Sequence, residues 1–496
     1  MKRAPSYVLV LLDLGLVAVL MLWAFRIMAD PARWVTDLVE WDTMAAGFVL
    51  LATLAFGALP LETLASAARE VRSGNRGRGL LSGSIAGALL LIPLLWVAVG
   101  PVLASHAEAR ANRVWAATLD PIETFPSRFP DGPASDGARR LEVAAARLGI
   151  DLAPPGAPGT RSGPSDRQAY EAVRTAMTDF VSRELDAEDD RPGRPPDAVM
   201  AWLSAHAAGV ADLVDEVRRA GPIVLQTDWS AEERPLPSLL GMRGACALLV
   251  LSAFEREGRG DSVAASERLE AAWRIGSGLR DRAEFLHQLF AMGLDTMTLK
   301  ALRKVRDVPP AWSSVIGQAD YRRAMSRGIE EEAWEWSARV ARLKATGVNE
   351  RAWLALKGPA YRLMAADYSQ ALARALVVMR GNDRCAPDRD ALEGAAAGSL
   401  ARWNSLGWMS MPSAVRAWVS AEEASLHVEL TRIVLEARAL KRSRGRWPEQ
   451  LEGLDSRVCP SATWQYARSS DGGVTLGLSR KPSHARGLTF RAGPGS

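Results

Sequence analysis

Glu284-Phe285-Leu286-His287 sets a carboxylate and an imidazole three residues apart, on one face of any helix that forms there. This is the Glu-x-x-His spacing of carboxylate-bridged di-metal bundles, which need two such motifs and two further glutamates. Glu423 and His427, four apart, could supply part of a second motif, and Glu331 and Glu335 are stacked in the same way. A hydrolase assembled from this chain would draw on Glu284, His287, Glu331 and Glu335. Such spacings also arise by chance in helix-rich chains, where a salt-bridged or solvated face explains them. The sequence is therefore read as holding no metal and no cofactor, with Glu284 and His287 the candidate ligands if an ion does bind.

Gly328–Trp336 (GIEEEAWEW) places carboxylates beside aromatic rings, the materials of a glycosidase. Two such carboxylates must face each other across a cleft. Three consecutive glutamates at a helix start, complementing its dipole, are the simpler account. The 17 tryptophans fall through helical segments and are read as packing residues. No phosphate-binding glycine loop, HExxH, GxSxG, SxxK or CxxC occurs, and Gly276-Ser277-Gly278 lacks the strand and third glycine of a dinucleotide fingerprint. Of three cysteines, Cys246 lies in the apolar run Ala245–Leu251 and reads as a buried small hydrophobe. Cys385 (NDRCAPD) and Cys459 (SRVCPS) lie in polar, proline-flanked loops and are a disulfide candidate in an oxidising compartment.

The elements that would carry these residues begin in a membrane. Tyr7–Met28 is apolar but for Asp13 and Arg26, Met44–Pro60 is uncharged with Glu62 just after, and Leu80–Ser105 holds no charge over 26 residues. About 20 apolar residues cross a bilayer, so three transmembrane helices are expected within residues 1–105. Phe25-Arg26-Ile27-Met28 offers no small-residue cleavage site, so the first run is read as an anchor. Lys2, Arg3 and the arginine-rich loop at 69–78 stay inside, while the loop 29–42 is acidic. Everything after about residue 106 then lies outside the cytoplasm. Asp13 and Glu62 are the membrane-embedded polar candidates, although both sit near span ends and can reach the headgroups. Gly83-Ser84-Ile85-Ala86-Gly87 allows close helix approach, among the chain's own spans or between copies.

A 48% hydrophobic and 24% charged composition is that of a globular chain. Net charge is +4, and only seven of the 61 basic residues are Lys. Acidic residues interleave the arginines throughout, which excludes nucleic acid as a partner. Residues 106–196 read as a helical linker region with proline-rich loops at 121–133, 154–164 and 186–196, the last of them (DAEDDRPGRPP) too polar to bury. Residues 197–412 form a helical domain. Within it Met242–Phe254 and Asp261–Leu279, joined by EREGRG, resemble one tetratricopeptide-type helical hairpin, with Asp261 as N-cap. No neighbours recur at a 34-residue period, so a hairpin in an irregular helical domain is expected.

Residues 413–496 read as a long helix plus a small module. Ser413 follows Pro412 as a cap, and Val415, Val419, Leu426, Leu430, Ile433, Ala437 and Leu440 form the apolar stripe. KRSRGRWP ends that helix: cations in the last turn, Gly445 as the left-handed stop, Trp447 folding back, and Pro448 opening a short helix Glu449–Leu454. Thr463–Ala467 and Val474–Leu478 flank SSDGG and read as a β-hairpin.

The GRWPEQLEGL turn, the Cys-Pro loop and WQYARSSDGGVTLGLS resemble the tail of a set of uncharacterised bacterial envelope proteins, membrane-anchored and mostly helical, with a C-terminal G-R-[YW]-P module. The tail likeness covers about 70 residues, and the hairpin near 242–279 extends it. The tail also resembles the core of type II secretion pseudopilins, where a long helix meets a G-R-Y-P turn and a small sheet. Three spans and no prepilin leader depart from that second pattern. The resemblance implies architecture and an envelope location, and it implies no activity or catalytic residue. The expectation is a mainly α protein of the bacterial inner membrane with an extracytoplasmic C-terminal region. It acts there as a scaffold or interaction subunit with an envelope protein partner, and no enzyme activity is implied. A periplasmic hydrolase and an accessory role in a pilus- or type II secretion-like system are the alternatives.

Overall fold

The computed structural model describes Val10, Leu14 and residues 59–493, except 75, 130, 154–159, 220, 230–236, 343–347, 382–388 and 481–486. All but Val10 and Leu14 of the first apolar run, residues 44–58 of the second, Asp13, the loop 154–159 and Cys385 lie outside the described residues. The protein is mainly α with a small C-terminal antiparallel sheet. It divides into two units that are discontinuous in sequence.

The first unit holds residues up to 122, 333–375 and 393–413. In it α1 (Leu59–Arg72) and α2 (Arg76–Thr118) form a hairpin whose turn uses Gly74 at φ +94°. Gly79 lets the two helices approach: a Cβ on Gly79 would stand 2.7 Å from the Val71 side chain. The first glycine of the GSIAG motif, Gly83, faces Ala67 of α1, where a Cβ would make an ordinary contact at 3.5 Å. Among the described residues, α2 is the one helix long and apolar enough to cross a membrane. Its 43 residues span about 65 Å, roughly twice a hydrocarbon core, so the helix continues well past Ser105. Glu62 is exposed in the first turn of α1.

The second unit holds residues 123–332, 376–392 and 414–496. Its helices begin with α3 (Phe125–Arg128), α4 (Asp136–Ala146), α5 (Pro164–Asp186), α6 (Asp197–Ala205) and α7 (Ala207–Arg219). The expected hairpin forms from α8 (Leu239–Gly258) and α9 (Ser262–Arg280). Asp261 accepts from Ala264 N–H as predicted, and Gly260 turns the chain at φ +81°. α8 is buried nearly all round and forms the centre of the unit, flanked by α9 and α10 (Phe285–Leu302). It also holds α11 (Ala311–Gly317), while α12 (Tyr321–Arg342), α13 (Val348–Gly381), α14 (Arg389–Gly398) and α15 (Ser405–Arg444) each contribute residues to both units.

Three expectations are corrected. Helix α15 begins at Ser405 instead of Ser413, because Asn404 caps it by accepting from Gly407 N–H and Pro412 is absorbed inside. A proline inside a helix ordinarily costs about 3 kcal/mol, which is why the sequence reads as a start there. Glu449–Leu454 forms no helix: the Pro448 carbonyl takes the Tyr466 hydroxyl, Gly453 sits at φ +66°, and Asp455 bridges Thr463. The DAEDDRPGRPP segment is not wholly solvated: Asp190 is buried, Lys304 grips Asp189, and Arg491 N–H donates to the Glu188 carbonyl.

The expected hairpin, β1 (Trp464–Arg468) with β2 (Val474–Leu478), gains β3 (Thr489–Ala492) on the far side of β2. Trp464, Val474, Leu476 and Phe490 face Leu426, Leu430 and Val434 of α15. Gly445 ends that helix at φ +70°, and Trp447 folds onto the same core with Lys441 Nζ 4.5 Å from its ring centroid. KRSRGRWP is thus a helix stop whose lysine covers the returning indole.

Candidate functional site

The Glu284–His287 motif caps and opens α10. Glu284 is the N-cap residue, and its carboxylate binds the Arg282 guanidinium through two oxygens. Arg282 in turn donates to the Gln226 carbonyl. His287 Nδ1 stands 3.5 Å from Glu284 Oε2 and is fully enclosed. Glu331 reaches across from α12 and accepts the first amide of α10, Phe285 N–H, at 3.1 Å. Burial by itself pushes the Glu284 carboxyl up, but the Arg282 hydrogen bonds and the His287 and Arg282 charges outweigh it and hold it below the ordinary value. Glu284, His287 and Glu331 therefore come together, buried, at the start of α10, with Glu284 ion-paired to Arg282 and Glu331 bonded to the first amide. Glu335 belongs to the other unit, where it pairs with Arg342 at 2.7 Å and Arg339 at 3.5 Å.

Further along α10, Asp295 is enclosed against Arg280 and the Tyr321 hydroxyl, the latter at 3.0 Å. Burial pushes both the Asp295 carboxyl and the Tyr321 hydroxyl up, and Arg280 pulls back on each. Gly276 is what lets α9 approach: a Cβ there would stand 2.3 Å from Asp295 Oδ1. Cys246 is buried and free, as its apolar surroundings suggest, with its thiol pushed up by desolvation.

His427 and Glu423 stand elsewhere, on α15. Glu423 Oε1 is 3.9 Å from His427 Nε2, and Arg303 faces His427 Nδ1 at 3.3 Å. Burial brings Arg303 down to about 9. Arg438, lowered to about 10 for the same reason, donates to the carbonyls of Arg303 and Val305 at the C-terminus of α10 and stacks over Phe490 of β3. Among the described residues no group of three or more His, Cys, Asp or Glu could hold a metal ion. The glutamates and histidines singled out by spacing are helix-locking groups, each with neighbours of its own.

Two connectors escaped sequence reasoning. Glu429 of α15 accepts from Ser456 Oγ (2.6 Å), the amides of Arg457 and Val458 (2.7 and 2.8 Å) and Trp464 Nε1 (3.2 Å), fastening the Cys-Pro loop to the helix. Arg438 is the other. Both were visible only as charges close to the apolar stripe. Cys459 is fully buried behind this loop and is disulfide-bonded.

An open cleft of about 630 Å³ lies in the second unit between α5, α8 and α10. Its floor is built of small residues, Gly244, Ala247, Gly293 and Thr296, and its rim carries Leu240, which is 69% exposed. Gly244 is required because a Cβ would stand 2.5 Å from the Tyr170 hydroxyl, whereas one on Gly293 would meet nothing within 4 Å. Three pairs of charged groups around the cleft are matched, Arg167 with Asp151 at 2.6 Å, Arg174 with Glu171 at 3.0 Å and Lys300 with Asp186 at 3.3 Å, and Arg243 and Asp179 also line it. Burial pushes the Tyr170 hydroxyl up to about 12. Burial pushes Asp151 up, but two hydrogen bonds from Ser162 and the Arg167 charge hold it low. Such a cleft offers shape and a floor of small residues.

No family model matches the chain, and neither a curated protein nor a solved structure matches it.

Proposed function

We propose that the chain is a membrane-anchored interaction subunit of a bacterial envelope, whose second unit receives a segment of another envelope protein in the cleft between α5, α8 and α10. The cleft carries this reading, because it is open, floored by small residues and bordered by charged groups of which three pairs are matched. The long apolar helix α2 supports the anchor. Two further spans, the inner-membrane location and the extracytoplasmic placement of the rest are proposals resting on the apolar runs and on loop charge. Against the hydrolase alternative stands the burial of Glu284, His287 and Glu331 away from the cleft lining, the first paired with Arg282 and the last bonded to the Phe285 amide. An accessory role in a pilus- or secretion-like system is the second reading. Its support is the packing of a long helix on a small sheet after the GRWP turn.

The test places a photo-cross-linking amino acid at Leu240 in the full-length protein within intact membranes. We expect one stoichiometric envelope partner, lost when Gly293→Trp fills the open floor while the thermal midpoint stays unchanged. A protein recovered alone, or a cross-link indifferent to Gly293→Trp, overturns the cleft as the docking site.

A further inference from the structure

Within the first unit, α2 and α13 run side by side in the same direction. A Cβ on Gly100 would stand 3.0 Å from Pro359. Arg362 binds Glu108 through both oxygens, at 2.7 and 2.6 Å, and donates to Ser105 Oγ at 3.1 Å. Trp115 Nε1 donates to Ser369 Oγ at 2.7 Å. Contact partners advance together along the two helices, so the part of α13 before Pro359 is directed toward the part of α2 before Gly100. That part of α2 is the middle of the charge-free stretch, and its Leu91, Leu94 and Leu95 are each more than half exposed. Beside it lies a slot of about 370 Å³, bounded by Val97 and Pro101 of α2, Val340 of α12, and Leu354 and Ala355 of α13.

We infer that the end of α12 and the first turns of α13 enter the lipid–water interface beside α2, and that lipid acyl chains cover the slot. The inference rests on the reading of α2 as a membrane span. Its independent support is the register of α13 on α2, which brings a second helix to the level of the apolar stretch. The sequence there suits the place. Residues 335–357 carry five cations against two carboxylates, and Trp334, Trp336 and Trp353 lie along or beside it. Cations drawn to phosphate headgroups and tryptophans at the boundary mark interfacial segments. A cation on a long stem can also keep its charge at the headgroups while its stem lies deeper.

The experiment uses the full chain in lipid nanodiscs, with a genetically encoded fluorescent amino acid placed singly at Ala355, Leu91 or Leu240. The lipids are brominated either near the headgroup or near the chain end. The expected result is loss of emission at Ala355 that is greater with the shallow bromines, loss at Leu91 with bromines at one or both depths, and none at Leu240. Quenching at Leu91 with Ala355 unquenched overturns the entry of α13 while the span stands. An unquenched Leu91 overturns the span itself and with it the inference.

Discussion

At the scale of single residues, the chain spends its conspicuous carboxylates on holding helix ends. Glu284 shows what this does to stability. Its folded carboxyl is held below the reference value of 4.5, so the stability it contributes is fully present above that value and is lost as pH falls through the lower folded one. The thermal midpoint of the full chain in detergent should therefore drop as pH falls from about 5 to about 3. Glu284→Gln should flatten that acid slope. At neutral pH it should destabilise by about 3 kcal/mol, because it leaves Arg282 buried without its counter-charge. An acid slope unchanged in Glu284→Gln would show that other carboxylates carry the effect. Two other charged groups act as connectors, Glu429 gathering a loop onto α15 and Arg438 closing the end of α10.

At the scale of elements, close approach decides which helices pair. The α8–α9 hairpin was legible because its N-cap Asp261, its turn glycine and its apolar faces agree on one answer. The α9–α10 contact was not, since nothing in the sequence marks Gly276 as the point where Asp295 passes. A side chain there must displace a buried, ion-paired carboxylate. Gly276→Ala should destabilise by about 1–3 kcal/mol despite the better helix propensity of alanine, read as a lowered thermal midpoint. A midpoint that rises would mean that the helices separate freely. Pro412 taught the opposite lesson: a residue that reads as a boundary is carried inside α15, because Asn404 supplies the cap well ahead of it.

At the scale of the whole molecule, two units each have their own core, and a disulfide is the covalent constraint expected on the second. Cys459 is bonded and Cys246 is free, while Cys385 lies outside the described residues. We propose Cys385 as the partner. Non-reducing peptide mapping of the protein from its membrane should recover the two cysteines in one linked fragment. Reduction should lower the thermal midpoint, since a bridge closing a long loop contributes roughly 4 kcal/mol. Recovery of both as free thiols would remove the bridge.

The sequence by itself determined the helical class, the long apolar helix, the α8–α9 hairpin, the stop at Gly445 and the first two strands. Each of these is written in local periodicity, capping or turn chemistry. Tertiary structure alone decided the rest. It paired β3 with β2 through four residues too short to read alone, and it buried Glu284, His287 and Glu331 together. It also opened a cleft over small residues that look, in sequence, like any others. Those outcomes depend on which faces meet across hundreds of residues, and a side chain's type and spacing carry no record of its distant neighbour.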